Sequence, residues 1–157
     1  MVEQLVNAAL GDSSGHSAID LYSGVGLFAL PMARKFGQVI AVEENGLAVD
    51  FAEQNAANAG LDNIRFIRSP VSRALNDLRS PDLLLLDPPR SGAEAKTIER
   101  IAELHPKQIS YVSCEPSILA RDLRILLDRG YLIGSITALD LFPQTHHVET
   151  VVKLKSI

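Results

Sequence analysis

Residues 17–26 read Ser17-Ala18-Ile19-Asp20-Leu21-Tyr22-Ser23-Gly24-Val25-Gly26. A short apolar run closes on an acid, and two glycines follow before an apolar helical pattern over about 27–36. Glycine reaches positive φ and lets another molecule approach the backbone, so the stretch predicts strand, tight turn, helix. Working outward, 38–42, 63–67, 82–86 and 108–113 read as further strands. Helical patterns fill 46–59, 94–104 and 116–129, and another covers 2–10. In 116–129 the residues Ile118, Leu119, Leu123, Leu126 and Leu127 fall on one face, with Pro116 in the first turn and Gly130 at the stop. Strands alternating with helices predict a parallel sheet covered on both faces, in which Leu83–Leu86 is a central strand. The tail breaks the alternation. Residues 131–140 and 147–154 are strand-like with no helix between them, which predicts an antiparallel pair at one edge. The expected fold is α/β: a Rossmann-like, doubly wound domain over 1–157, with a mostly parallel seven-stranded sheet and an antiparallel C-terminal hairpin.

The composition sets limits on function. Hydrophobic residues make up 46% of 157, enough for one sizeable core. No apolar run reaches the roughly 20 residues of a membrane span, and residues 1–10 lack the pattern of a signal peptide, so a cytoplasmic protein is expected. Cys114 is the only cysteine, which excludes an intrachain disulfide and a cysteine-rich metal site. The formal net charge of −4 is unlike that of a protein that grips nucleic acid by its phosphates.

In open α/β sheets, ligands bind outside the carboxyl ends of the strands. Asp20, Glu43, Asp87 and Cys114 stand at or just beyond four such ends. With Ala29, the pair Gly24 and Gly26 fits the dinucleotide fingerprint, and Glu43 lies at the right distance to take a ribose hydroxyl. A nicotinamide dinucleotide is therefore one reading. The other is S-adenosylmethionine: Asp-Leu-Tyr-Ser intervenes between the apolar strand and Gly24, as in the first motif of methyltransferases. That molecule carries an ammonium and a sulfonium, which favour nearby carboxylates, whereas a pyrophosphate favours amides. Asp87-Pro88-Pro89-Arg90 resembles the D/N-P-P-aromatic element of amino-methyltransferases but has Arg90 where the aromatic stacks on a base. Cys114 precedes a helix start, whose positive end favours a thiolate. Glu149 opens the last strand, as either a solvent-facing carboxylate or a base. His146 and His147 suggest no metal site, because no third ligand is suitably spaced and adjacent side chains on an extended chain point apart.

Taken together, Leu139-Asp140-Leu141-Phe142-Pro143-Gln144-Thr145-His146-His147-Val148-Glu149, Asp87-Pro88-Pro89-Arg90-Ser91-Gly92 and Tyr111-Val112-Ser113-Cys114 resemble the RNA uracil-5 methyltransferases, from about residue 17 to 154. The resemblance implies the class I methyltransferase fold, S-adenosylmethionine as cofactor, and a uridine in structured tRNA or rRNA as substrate. It implies Cys114 as nucleophile, Glu149 as base and Asp87 holding or polarising the uracil. Asp20, Tyr22, Gly24, Gly26, Glu43 and Asp87 would surround the cofactor. Three positions depart from the family: Glu115 stands where it usually has Asn, Ile118 where it often has Thr, and Arg68-Ser69-Pro70 where relatives carry an acid or amide near the adenine. Two rival readings remain: a nicotinamide-dependent oxidoreductase, which explains Gly24, Gly26 and Glu43 but leaves Cys114 and the 139–149 motif idle, and a non-catalytic cofactor-binding module, consistent with Glu115 and with no expected counterpart of the family's N-terminal RNA-binding barrel.

Overall fold

The computed structural model describes residues 1–141 and 148–157. Helix α1 (Val2–Leu10) leads into β1 (Gly15–Leu21), α2 (Ala29–Ala33), β2 (Phe36–Glu43), α3 (Gly46–Asn58) and β3 (Ile64–Arg68). After α4 (Val71–Ala74) and a single 3-10 turn at Leu75–Asp77 come β4 (Leu83–Leu86), α5 (Ala95–Leu104), β5 (Gln108–Ser113), α6 (Pro116–Asp128), β6 (Tyr131–Leu139) and β7 (Glu149–Ser156). The seven strands form one sheet in the order β3-β2-β1-β4-β5-β7-β6. The first five are parallel, and β7 pairs antiparallel with both β5 and β6. The expected architecture is therefore present, with one refinement: the last strand inserts between β5 and β6, so the hairpin's first strand is the outer edge.

All four residues of β4 are buried, as a strand covered on both faces requires. The sheet divides the core into two layers. Ile19, Leu84, Leu86, Tyr111 and Val152 pack with α5 and α6, and Ala18, Ala41, Leu85, Val112 and Val151 pack with α1 and α2. The strand order reverses between β1 and β4, which run parallel, and this is the switch point at which a crevice opens in such sheets.

Two expectations need correction. The helix expected over 27–36 shrinks to Ala29–Ala33, because residues 24–28 form the turn and Phe36 already pairs with Gly15 as the start of β2. Phe28, Met32 and Phe36 are all buried, so helical spacing ran through a strand residue. The short α4 between β3 and β4 was not anticipated; only Val71, Ala74 and Leu75 of that segment are buried, too few to give a period.

Candidate active site

Five predicted residues come together at one edge of the sheet. Asp20 and Glu43 lie on β1 and β2, and Asp87 and Cys114 follow β4 and β5. Because β7 runs antiparallel, its first residue, Glu149, reaches the same edge. The register pairs Val112 with Val151 and Ser113 with Thr150, so Cys114, just after β5, and Glu149, which opens β7, lie at the same end of the sheet. Each of the five stands two residues beyond a member of the α1/α2 core layer: Ala18, Ala41, Leu85, Val112 or Val151. With a side-chain period of two, the three that lie within strands, Asp20, Glu43 and Glu149, share one face of the sheet.

The glycine turn is held from below. Gly24 and Gly26 have φ of 53° and 94°, and Tyr22 has 62°, uncommon for a residue with a side chain and a mark of local strain. A Cβ on Gly26 would collide with Leu30 Cδ1, whereas one on Gly24 would meet nothing within 4 Å among the described residues. Gly24 therefore faces open space, where a ligand can approach the backbone. Glu43 Oε2 accepts the Gly24 N–H at 2.9 Å, and Oε1 accepts the Asn45 N–H at 2.8 Å. Each oxygen keeps a lone pair for an incoming hydroxyl. Tyr22, Glu43, Glu44, Val71, Asp87 and Pro89 line a cavity of about 360 Å³. Two larger hollows, about 530 and 480 Å³, lie at the amino ends of the strands, away from these acids.

The acids are arranged against one another. Asp20 is fully buried, and among the described residues neither carboxylate oxygen has a hydrogen-bond partner; the Ser23 hydroxyl is equally orphaned. Burial above all, then the charge of Asp87, pushes the Asp20 carboxyl well above its ordinary range; the Ala29 amide pulls the other way, and Glu43 adds a smaller push upward. Burial, and then Glu149, pushes Asp87 up to about 7. Tyr22 is pushed up to about 12 by burial and by Glu94 and Asp122. A buried carboxylate without a donor is expensive, so this cluster suits a cationic, hydrogen-bonding ligand.

Cys114 is half-buried, directly before the Glu115 cap of α6. The Glu115 carboxylate accepts the Ser117 N–H at 3.3 Å and the Ser117 hydroxyl at 2.7 Å, and these bonds, with Arg90 nearby, hold it below its usual range. It is engaged at the helix end, a role the family's Asn would also fill. Ile118 packs where a Cβ on Gly92 would fall. Arg68 reaches Asp50 at 2.8 Å, and the Ser69 hydroxyl donates to the Pro70 carbonyl at 3.1 Å. Residues 142–147, including His146 and His147, lie outside the described residues, so only the two ends of the tail motif are placed. Among the described residues no group of three potential ligands could hold a metal ion, and no helix is long and apolar enough to cross a membrane.

Sequence reasoning missed Asp122. It is fully buried, and its Oδ2 accepts the Tyr111 hydroxyl at 2.6 Å. A signal existed: between Leu119 and Leu123, an acid sits within the apolar stripe of α6.

The comparisons agree with this geometry. The family model described as tRNA (uracil-5-)-methyltransferase matches residues 1–157. A 23S rRNA (uracil(1939)-C(5))-methyltransferase, RlmD, of Shewanella frigidimarina is 43% identical over 155 residues, covering 97% of this chain and 34% of the relative. An uncharacterized RNA methyltransferase of Caldanaerobacter subterraneus is 44% identical over 142 residues, covering 90% and 32%. The chain thus spans about a third of the length of these relatives. The crystal structure of the Pyrococcus abyssi tRNA (uracil-54, C5)-methyltransferase in complex with S-adenosyl-L-homocysteine superposes with a TM-score of 0.88 at 33% identity, covering 98% of this chain and 38% of that one. With a match along its whole length and the expected residues gathered at one sheet edge, the chain belongs to the tRNA (uracil-5-)-methyltransferase family.

Proposed function

We propose that this chain transfers a methyl group from S-adenosylmethionine to C5 of a uridine in structured tRNA or rRNA, through a covalent bond between Cys114 and C6 of the base. The observation that supports this reading is the β5–β7 register, by which the only thiol of the chain follows β5 at the same end of the sheet where Glu149 opens β7, with Asp87 close enough to feel the charge of Glu149.

The residues present fit the cofactor. Orphaned Asp20 and Ser23 are partners for its ammonium and carboxylate end, Gly24 leaves room for it, Tyr22 and Gly26 shape the turn, and Glu43 takes the ribose hydroxyls. When bound, it supplies an electrophilic methyl on a sulfonium. A dinucleotide pyrophosphate would instead meet buried acids, which disfavours the oxidoreductase reading.

C5 of uracil is too weak a nucleophile unaided. The Cys114 thiolate adds to C6, the C5–C6 electron pair moves onto the 4-carbonyl, and C5 becomes nucleophilic. Asp87, protonated in part at neutral pH, donates a hydrogen bond to the uracil carbonyl. After methylation Glu149 removes the C5 proton, the C5–C6 double bond reforms, and Cys114 leaves as thiolate. The base must leave its stack to reach the edge of the sheet. With a net charge of −4, the domain grips RNA weakly by itself, and recruitment is the work of further RNA-binding elements such as the family's barrel.

The test supplies methyl-labelled S-adenosylmethionine and tRNA or rRNA fragments, then digests the RNA to nucleosides. Label in 5-methyluridine is expected. Label in any other nucleoside, or nicotinamide dinucleotide binding without S-adenosylmethionine binding, would overturn the proposal.

A further inference from the structure

The loop after β4 and the helix after β5 are joined by an ionic link, between the buried Asp122 and the half-exposed Arg121, that the reaction described above does not use. Tyr111, on β5, donates its hydroxyl to Asp122 Oδ2 at 2.6 Å. Arg121 donates to Asp122 Oδ1 from Nε at 2.8 Å and Nη2 at 2.7 Å, and Nη2 also donates to the Ala93 carbonyl at 2.8 Å. Ala93 ends the Asp87-to-Gly92 loop, whose turn closes where the Gly92 N–H meets the Pro89 carbonyl at 2.7 Å. Gly92 has φ of 75°, and a Cβ there would strike Ile118 of α6, so the loop lies against that helix without a gap. Tyr111 pairs in register with Leu86, the residue before Asp87, and stands three residues before Cys114.

Asp122 thus ties β5 to the helix beginning beside Cys114 and holds Arg121, which in turn reaches the Ala93 carbonyl at the end of the loop carrying Asp87 and Arg90. Well-packed apolar side chains of similar volume would often be as stable as a buried ion pair. What they cannot supply is a directional lock between two segments. We propose that Asp122 is a positioning residue that fixes the Asp87–Gly92 loop against α6, so that the groups holding the base and the thiol that attacks it stay in register. The bonds it organises run to β5, α6 and Ala93, and none of them goes to the Gly24–Gly26 turn. The lock should therefore act on the attack rather than on cofactor binding. This role rests on the reaction proposed above.

The test compares wild type with Asp122→Asn and Tyr111→Phe, which keep the packing volume. Three readouts are S-adenosylmethionine affinity by calorimetry, amide exchange of residues 88–94 and 20–26, and covalent trapping of a 5-fluorouridine RNA oligonucleotide over a range of concentrations. The expected result is cofactor affinity within about twofold, exchange at 88–94 at least tenfold faster with 20–26 unchanged, and a maximal trapping rate at least tenfold lower. Tyr111→Phe should show the same pattern, smaller. A merely structural role would weaken cofactor binding and speed exchange at both segments together. Trapping at the wild-type rate in Asp122→Asn, or exchange and affinity lost everywhere, overturns the positioning role alone. A wild type that traps no RNA overturns the reaction itself and this role with it.

Discussion

Strand β4 carries an aspartate at each end, and the two have opposite surroundings. Asp82, just before the strand, accepts N–H groups of His16 at 2.8 Å and Ser17 at 3.1 Å and the Lys107 ammonium at 2.6 Å. Those donors, the lysine foremost, hold it down to about 2. Asp87, just after the strand, is pushed up to about 7 by burial and by Glu149, and fully buried Asp20 beside it has, among the described residues, no hydrogen-bond partner beyond the pull of the Ala29 amide. One end of the sheet is finished: its acid stitches the starts of β1, β4 and β5 together. The other end holds acids that raise one another's proton affinity and wait for a cationic partner. A stability argument explains the first end, and only a ligand explains the second.

The contrast can be broken most severely at the thiol. Cys114→Ala should leave no detectable 5-methyluridine, while Glu149→Gln should let methylation proceed and then accumulate protein–RNA adduct with ordinary uridine, seen as a slow band on denaturing gels. Uridine methylation surviving in Cys114→Ala would place the chemistry elsewhere. Next in size is the cofactor. Glu43→Ala removes a charge-assisted acceptor and also the tether on Gly24, and should weaken S-adenosylmethionine about tenfold to a hundredfold by calorimetry. Unchanged affinity would remove Glu43 from the site.

Stability should respond with opposite signs at the two ends of β4. Between about pH 4 and pH 7 the folded chain keeps a proton on Asp87 that the unfolded chain has released, so stability falls as pH rises through that window and the full penalty is present above it. Asp87→Asn should therefore stabilise the free protein at pH 8 by on the order of 2–4 kcal/mol, at about 1.4 kcal/mol per pK unit, and do little at pH 4. Asp82 is depressed, so its contribution is complete above its unfolded value near 4 and is lost as pH falls toward 2. Asp82→Asn should destabilise at pH 7. Denaturant melts at the two pH values check both signs, and a stabilising Asp82→Asn would contradict the comparison. The smallest effect belongs to Glu115→Asn. Asn caps a helix as Glu115 does here, so the adduct rate should change by less than about twofold. A large acceleration would mean that the carboxylate turns toward the thiol.

Much of this was legible before any coordinates, and the reason is periodicity. The strand ends at Asp20, Glu43, Asp87 and Cys114 could be read because an apolar run of period two or a fully apolar run stops where the chemistry begins. Glu149 was legible only through the family motif, because an acid opening an edge strand has no distinctive pattern; the antiparallel register is what brings it to Cys114. The Glu43 tether to Gly24 joins residues 19 apart in sequence, and no local pattern encodes it. Glu115 beside the nucleophile reads from the sequence as a liability, yet its orientation depends on Ser117, two residues on. Asp122 left a trace, an acid in an apolar helical stripe, whose meaning emerges only when Tyr111 meets it and Arg121 carries the link on to Ala93.

The most direct test is the mass of the peptide carrying Cys114 after reaction with 5-fluorouridine RNA and S-adenosylmethionine. Fluorine at C5 cannot leave as a proton does, so the reaction should halt with the base attached at C6 and methylated at C5. The predicted result is a Cys114 peptide heavier by one methylated 5-fluorouridine nucleotide. An adduct on another residue, or C5 methylation of ordinary uridine with no adduct ever formed from the fluorinated RNA, would contradict the account.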